Sequence, residues 1–493
     1  NAGGADAGNV PGANGFAYFS DGQVAYNGKL SVSREYGDMA AGAAATRVWT
    51  FAVANQPPSF FFTYKVIADL GVAAESVAPA AVQVNAGTGT SVTIIGRGFT
   101  GTPTVELLPA SGAPVAMTGV TATATSITAT VPAGTAAAIY SVRVTNPGGT
   151  AGGQGSSTIR GRLTVTGVPA TTLTGTIPGG AFPSAAAYLI SGNSTLSSST
   201  PIPAGTVIYV AGGAALSIAG GGNINADGGT PGVSATAAQI VFTAQRSPGA
   251  SVPTNGAWGG IDATVASTAT MSMRNVVIEY GGGSGFGGIN ISGSGRTLRF
   301  TDGVLRNSAG SGLRAVGAND SVIGFSRNRV EGNGTAATDA ALLVSGNAAL
   351  GLYDLPATGA TIATSVGDAS YYYSSANDFV GNQLNAVRIG TTADVASNDF
   401  SKSGVLVGQG AVPIQIAGDC ANPAIVGAAA PASPAELTIS AGANIQLAAD
   451  LNFQAGDYAT DRVGCIAANG YAGIYIGTQP GAPAANQLIT FDK

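Results

Sequence analysis

The sequence contains no histidine and few charged residues, and both absences exclude kinds of function. Histidine is the commonest general base and metal ligand, and it ligates many haems, so its absence from 493 residues argues against a metal centre or haem. We expect no cofactor. Only 9% of the residues are charged, against about 25% in ordinary soluble domains. The net charge of −5 and the lack of Lys and Arg clusters argue against nucleic acid or an anionic membrane as partner.

Cysteine is nearly absent too. Cys420 and Cys465 are too far apart in sequence for a metal knuckle. A disulfide between them closes a loop of about 46 residues and stabilises the fold by roughly 4 kcal/mol on the chain-entropy model. The alternative is two buried thiols in a reducing cytosol. We predict the disulfide, and with it an extracellular or cell-surface location.

Long hydrophobic runs are also missing. No apolar stretch approaches the twenty residues of a transmembrane helix, and no secretory leader is visible at Asn1. We therefore expect no transmembrane segment, and a chain that is the mature, processed product of secretion.

A short pattern returns at near-constant intervals between residues 275 and 407. Each marker lies two residues before an apolar side chain, and three of the four intervals between markers are similar. The interval from Asn328 to Asn377 is about twice the others, which fits either one turn with an insertion or a double turn. Short period-2 alternations surround each marker, which predicts three strands per turn of a solenoid. The markers are Asn275, Asp302, Asn328, Asn377 and Asn398.

The marker residues have a structural explanation. Asn tolerates left-handed backbone at turns, and stacked Asn side chains hydrogen-bond from one turn to the next. We predict that the five markers form such a ladder; a ligand-binding role is the alternative.

The N-terminal part divides into two segments. Residues 1–14 are predicted to be a flexible arm, because they are Gly, Ala and Asn without periodicity. Residues 15–73 contain four candidate strands and are predicted to be a small β-sandwich with an open edge. Phe60 and Phe62 exceed what one half-buried strand needs, so we predict that they take part in self-association. The arm, from the same chain or a neighbour, is the candidate cover for the edge, and a tail without function is the alternative.

Residues 74–167 carry three spaced motifs. They are the strand and turn TSVTIIGRGFT at 90–100, the strand end SITATVP at 126–132, and the strand and turn YSVRVTNPGG at 140–149. In these motifs the segment resembles the immunoglobulin-like IPT/TIG domain. The resemblance implies a seven-stranded sandwich that serves bacterial surface proteins as a spacer or adhesive module, and it supplies no catalytic residues.

Residues 168–185 are rich in proline and glycine and are predicted to be a linker. Residues 186–419 then carry IPAGTVIYV at 202–210, IVFT at 240–243 and WGGI at 258–261 before the regular turns. In this order of motifs the segment resembles bacterial surface proteins with a right-handed parallel β-helix. The predicted fold class is therefore all-β: an N-terminal sandwich, an immunoglobulin-like sandwich and a parallel β-helix.

Residues 420–493 repeat the opening of that region. ISAGANIQL at 439–447 matches IPAGTVIYV, and Ile489–Phe491 matches the IVF of the first copy. No further turns follow, so either the C-terminus has been trimmed or a coil is left with an open face, which invites pairing with another chain. Leu488, Ile489 and Phe491 are the candidate self-association residues at this end.

The polar residues of the turns include candidates for an enzymatic site and for a glycan-binding site. Asp378 and Asp399 share one position on neighbouring turns, as a polysaccharide lyase or hydrolase would require. We expect instead solvated turn acids and surface arginines such as Arg306 and Arg327. Tyr371, Tyr372 and Tyr373 form a candidate glycan or partner patch. The triplets at Asn193, Asn290, Asn319 and Asn333 match the glycosylation pattern, as chance predicts in this composition.

Three functions follow in order of preference. The first is a non-enzymatic extracellular structural protein that associates head to tail with its own copies into a fibre, sheath or layer. The second is a monomeric adhesin or carbohydrate-binding surface protein that uses the tyrosine patch. The third is a polysaccharide-degrading enzyme.

Overall fold

The computed structural model describes residues 72–387 except for 150–154, 230–236, 265–268, 284–285, 294, 317–320, 337–338 and 345–376. Beyond those limits it describes the backbone of individual strands, one of them inside the last gap. The described elements are all strands, which confirms the predicted all-β fold class.

The structure describes four short strands before residue 72. Two antiparallel pairs form, between the first and fourth strands and between the second and third. Phe60, Phe62 and the arm 1–14 lie outside the described residues. The strands are β1 (Ala17–Phe19), β2 (Gln23–Tyr26), β3 (Lys29–Val32) and β4 (Phe51–Val53).

The next nine strands form an immunoglobulin-like sandwich. They are β5 (Ala73–Ala78), β6 (Ala81–Gln83), β7 (Thr90–Arg97), β8 (Thr104–Leu108), β9 (Val115–Ala116), β10 (Thr118–Ala122), β11 (Ser126–Val131), β12 (Ala138–Thr145) and β13 (Ser156–Thr166). One sheet has the order β10-β11-β7-β5, and the other has the order β6-β13-β12-β8-β9. In β7, buried residues alternate with more exposed ones, so that Val92 and Ile94 enter the core.

The two turn motifs of this domain contact each other. Gly98 has φ of +70°, a conformation that favours glycine. Asn146 Nδ2 donates to the Gly98 carbonyl (2.7 Å), and Asn146 Oδ1 accepts from the Thr100 backbone N–H (3.1 Å). Asn146 therefore connects the turn after β7 to the turn after β12.

The remaining strands all pair in parallel, and most of them belong to one stack, here called the parallel stack. In chain order they are β14 (Thr171–Ile177), β15 (Ala187–Leu196), β16 (Ser199–Ile202), β17 (Val207–Val210), β18 (Leu216–Ile218), β19 (Asn223–Asp227), β20 (Ile240–Ala244), β21 (Ile261–Ala263), β22 (Thr270–Arg274), β23 (Val276–Glu279), β24 (Ile289–Ile291), β25 (Thr297–Thr301), β26 (Val304–Arg306), β27 (Leu313–Ala315), β28 (Val322–Ser326), β29 (Arg329–Glu331), β30 (Ala340–Val344), β31 (Ala349–Gly351), β32 (Asp378–Val380), β33 (Leu384–Ile389), β34 (Asp399–Phe400), β35 (Gly404–Val407), β36 (Ile414–Ile416), β37 (Ala435–Ile439), β38 (Asn444–Ala448), β39 (Phe453–Ala455), β40 (Ala472–Ile476) and β41 (Leu488–Phe491).

The parallel stack is organised in three columns of parallel strands. The first column is β15-β17-β20-β23-β26-β29-β32, and the second is β15-β18-β21-β24-β27-β30-β33-β36-β39. The third column is β16-β19-β22-β25-β28-β31-β35-β38-β41. From β17 to β33, successive strands visit the three columns in turn, an arrangement consistent with the predicted parallel β-helix. Strands β34, β37 and β40 form a separate parallel sheet.

Two details differ from, or refine, the expectations from sequence. The segment 168–185 contains β14, which pairs in parallel with β15, so that it contributes a strand to the parallel stack. Its Ile177 enters the core and its partly buried Leu173 packs against the core, despite the surrounding glycines and prolines. The long interval between Asn328 and Asn377 is one turn with an insertion, because β29 pairs directly with β32.

The core of the parallel stack is filled by the inward residues of all three columns. In the first column these include Ile278, Leu305 and Val330, which are fully buried. In the third column Phe300 and Phe325 stack with their ring centroids 5.5 Å apart. Several outward residues of the first column contact the immunoglobulin-like domain instead.

Candidate functional site: asparagine ladders and a charged row between two domains

Left-handed corners recur in register beside the first column. Asn275, Asp302 and Arg327 have φ of 53°, 55° and 52°, and each lies two residues before paired positions of β23, β26 and β29. Arg327 donates from Nε and Nη2 to the two carboxylate oxygens of Asp302, at 2.7 and 2.8 Å. An ion pair between neighbouring turns therefore stabilises this corner.

Asn328 and Asn377 are brought together on consecutive turns. The Asn328 backbone N–H and Nδ2 both donate to Asn377 Oδ1, at 3.0 and 3.2 Å, and Asn328 Oδ1 accepts from the Gly303 N–H at 2.8 Å. Asn328 Nδ2 also donates to the Phe300 carbonyl at 2.7 Å. Both side chains are buried, so each satisfies backbone groups that water does not reach.

Asn275 and Asp302 do not join that ladder. Because Val304 of β26 pairs with Arg329 of β29, the strand register places Asn328 opposite Gly303, one position after Asp302. Asn275 instead donates from Nδ2 to the Gly228 carbonyl at 3.0 Å. Asn398 lies outside the described residues.

A second asparagine ladder, absent from our prediction, runs along the other end of the same strands. The Asn333 N–H and Nδ2 donate to Asn382 Oδ1, at 3.1 and 2.9 Å, and Asn333 Oδ1 accepts from the Ser308 N–H at 3.0 Å. The same spacing between two asparagines recurs in NRVEGN at 328–333 and NDFVGN at 377–382, and it is the signal that would have found the ladder. The triplet at Asn333 thus belongs to a buried structural contact.

A charged row alternates in sign along the outer face of the first column. Glu279 is paired in register with Arg306, and Arg306 with Glu331. Arg306 Nη2 lies 2.7 Å from Glu279 Oε2, and both side chains are buried. Arg306 is therefore buried, and this corrects the expectation that it is a surface charge.

The immunoglobulin-like domain covers this row and contacts it directly. The Ala80 backbone N–H donates to Glu279 Oε1 at 2.9 Å, and Arg306 Nη2 donates to the Val77 carbonyl at 2.6 Å. Ser76 Oγ donates to Glu331 Oε1 at 2.7 Å. Each charged side chain of the row thus has a partner in the covering domain.

Earlier turns present an apolar surface to the same domain. Val207, Tyr209, Val241 and Val277 of the first column pack with Ala80 and Ala81 in one buried cluster. Tyr209 Oη lies 2.8 Å from Thr166 Oγ1, and burial raises the pKa of the Tyr209 hydroxyl.

Two arginines close the sides of this interface. Arg162 Nη1 donates to Asn275 Oδ1 at 3.1 Å, and Arg246 Nη2 donates to the Ser91 carbonyl. One of the predicted markers, Asn275, is therefore a contact between the two domains.

Electrostatics favour the charged forms of Arg306 and Glu331. Burial lowers the pKa of Arg306, but Glu279 and Glu331 outweigh this effect, so that the pKa lies above its ordinary value. Burial raises the pKa of Glu331, but Arg306 and Arg329 bring it below its ordinary value. The carboxylates and the guanidinium thus stabilise each other in a region that excludes water.

The acids considered for catalysis are engaged in ion pairs where the structure describes them. Asp378 Oδ2 lies 2.6 Å from Arg329 Nη1, and Arg329 Nε lies 2.7 Å from Glu331 Oε2. The side chain of Asp399 lies outside the described residues. Across the described ranges, no three His, Cys, Asp or Glu side chains are grouped to hold a metal ion.

Five of the predicted site residues lie outside the described residues: Tyr371, Tyr372, Tyr373, Cys420 and Cys465. Leu488, Ile489 and Phe491 belong to β41, whose backbone pairs in parallel with β38.

Where the structure describes the chain, it contains no helix of the length and apolarity needed to cross a membrane.

Comparison with known proteins agrees with the resemblance found in the sequence. Residues 76–160 match the IPT/TIG domain family. No curated protein and no solved structure matches the chain. The matched residues form most of the sandwich that covers the charged row. The covering domain of this interface is therefore an IPT/TIG domain.

Proposed function

We propose that this protein is a non-enzymatic structural protein of a bacterial cell surface, which associates head to tail with its own copies into a fibre, sheath or layer. The observation that carries the proposal is the docking of the IPT/TIG domain along the side of the parallel stack. The buried Glu279–Arg306–Glu331 row and the apolar cluster around Tyr209 join the two domains. Such an interface favours a rigid building unit over domains on a free linker.

The use of the acidic residues also supports a structural function. Asp302, Glu331 and Asp378 each pair with an arginine of the same or a neighbouring turn. A general acid or base needs a carboxyl group that reaches substrate, whereas these carboxylates bind guanidinium groups. The low charge of the chain adds little electrostatic repulsion between copies.

The proposal also includes a cellular location, a disulfide and the residues of self-association. An extracellular location, the Cys420–Cys465 disulfide and self-association through Leu488, Ile489 and Phe491 are parts of it. Non-reducing against reducing peptide mapping tests the disulfide.

Light scattering of purified protein over a hundredfold range of concentration tests self-association. We expect a mean mass that rises with concentration and persists at high salt, because contacts between strand edges are hydrogen-bonded and weakly charged. A mass that stays at that of a single chain over the whole range would contradict the proposal.

An adhesin that binds carbohydrate is the second candidate. The observation that favours it is Phe286, whose side chain is 45% exposed with the Arg314 guanidinium 6.0 Å from the ring centroid. Exposed aromatic rings stack on sugar rings, and arginine binds sugar carboxylates. Glycan-array binding that is lost on Phe286→Ala or Tyr372→Ala would support this function. Unchanged binding in both variants would count against these two sites.

A further inference from the structure

Strand β14 is one end of the longest column in the parallel stack. Its Gly175–Ile177 half pairs with the Ser194–Leu196 half of β15, from which the second column continues to β39. Among the described strands, β14 pairs with β15 alone, and β39 pairs with β36 alone. Because every pairing in the column is parallel, the two outer edges are complementary.

The composition of β14 leaves its edge open to pairing. Its sequence TTLTGTI contains no charged residue and no proline, and five of its seven residues are exposed. Natural proteins usually protect edge strands with lysine, proline or a bulge. β14 has one irregularity, between Leu173 and Gly175.

The third column begins differently. Its first strand, β16, contains Pro201, which is exposed and has no N–H to donate. The proline protects this edge, whereas β14 has no such protection. The two edges at the same end of the parallel stack therefore differ in their ability to accept another strand.

We infer that β14 is the acceptor edge for a second copy of this chain, whose β39 adds to it in parallel and continues the second column between molecules. This inference rests on the proposed function and places its main contact at β14 and β39, because the Pro201 edge offers less to β41, the strand of Leu488, Ile489 and Phe491. Joining opposite ends of one column repeats the same contact indefinitely, so the product is an open fibre. The neutral edge makes the contact insensitive to salt, since no charged pair has to form.

The test is the double variant Thr172→Lys/Thr174→Lys, which places two charges on the exposed side chains of β14. The matched control is Thr118→Lys/Thr121→Lys, which makes the same change on β10, an exposed edge strand of the IPT/TIG domain. We expect the β14 variant to need at least tenfold more protein for assembly, and the control to stay within twofold of the wild type. Thermal unfolding of each monomer checks the fold.

Three results would overturn the inference, and they are distinguishable. Equal assembly of the wild type and the β14 variant would leave the proposed function standing and remove β14 from the contact. Slow hydrogen exchange, in dilute monomer, of those β14 amides that point away from β15 would show that the chain covers this edge itself. A wild type that never assembles would contradict the proposed function together with the inference. If the β14 variant unfolds, protection of the β14 amides that appears only on wild-type assembly still supports the contact.

Discussion

Glu279 and Arg306 lie on neighbouring turns of the parallel stack, and their side chains form a buried ion pair that the IPT/TIG domain covers. The Ala80 N–H and the Val77 carbonyl complete the hydrogen bonds of the pair. A buried pair of this kind contributes little net stability by itself, but either charge is costly without the other. The pair therefore specifies where the domain docks.

Removal of Arg306 is predicted to destabilise the protein strongly. Arg306→Ala leaves Glu279 buried without its counter-charge, and we expect a loss of about 3–5 kcal/mol in the free energy of unfolding. Urea unfolding measures it. The control is Arg274→Ala, whose pair with Asp227 has side chains that are 44% and 51% exposed. It is expected to cost about 0–1 kcal/mol. Equal effects of the two variants would contradict the buried role of Arg306.

Glu331 is predicted to make stability dependent on pH in the acid range. Its folded-state pKa lies below the ordinary value of 4.5, so its contribution is fully present above that value and is lost as the pH falls through the folded pKa. We expect the stability difference between the wild type and Glu331→Gln to be constant above about pH 5 and to shrink below it. Chemical unfolding at a series of pH values measures this difference.

The matched control for Glu331 is Asp378→Asn. The Asp378 side chain also pairs with Arg329 but is 60% exposed, so its removal is expected to cost about 0–1 kcal/mol. A stability difference for Glu331→Gln that is independent of pH far into the acid range would refute the assignment.

The asparagine ladder is predicted to be structural. Asn328→Ala leaves the buried Gly303 N–H without its acceptor and removes one of the hydrogen bonds to the Phe300 carbonyl, and we expect a loss of about 1–3 kcal/mol. Asn225, an exposed strand residue of the third column, is the control, and Asn225→Ala is expected to change stability by less than about 0.5 kcal/mol. If both substitutions were neutral, the ladder would have no role in stability.

The stacked rings in the core give a further prediction. Phe325→Ala removes the partner of Phe300 and leaves a cavity, with an expected loss of about 3–5 kcal/mol. Phe286→Ala removes an exposed ring and is expected to cost less than about 0.5 kcal/mol. Thermal unfolding of the two variants compares them, and a Phe325 variant as stable as the Phe286 variant would contradict the packing described for the core.

The repeat could be predicted from sequence because its cause is local. Period-2 alternation and the returning markers require only that each turn bury one face, so Val277, Val304 and Val330 indicated strands in their correct turns. The register between those turns was harder to predict from the sequence. Turns of slightly different length are hard to separate by pattern, and their lengths place Asn328 opposite Gly303 and Asp302 opposite Arg327.

The docking of the two domains could not be predicted. Glu279 and Arg306 are charged residues of the kind that is usually exposed. Their burial involves contact with Val77 and Ala80, which lie far earlier in the chain. A glutamate, an arginine and a glutamate at one strand position on three consecutive turns would have been the available signal. β14 was missed because its glycine and flanking prolines resemble a linker.

Electron microscopy of the native material tests the central claim most directly. A structural protein that associates with its own copies is predicted to appear as regular fibres, sheaths or layers in which the parallel stack continues from one copy to the next. Isolated particles of single-chain size at every concentration would contradict it.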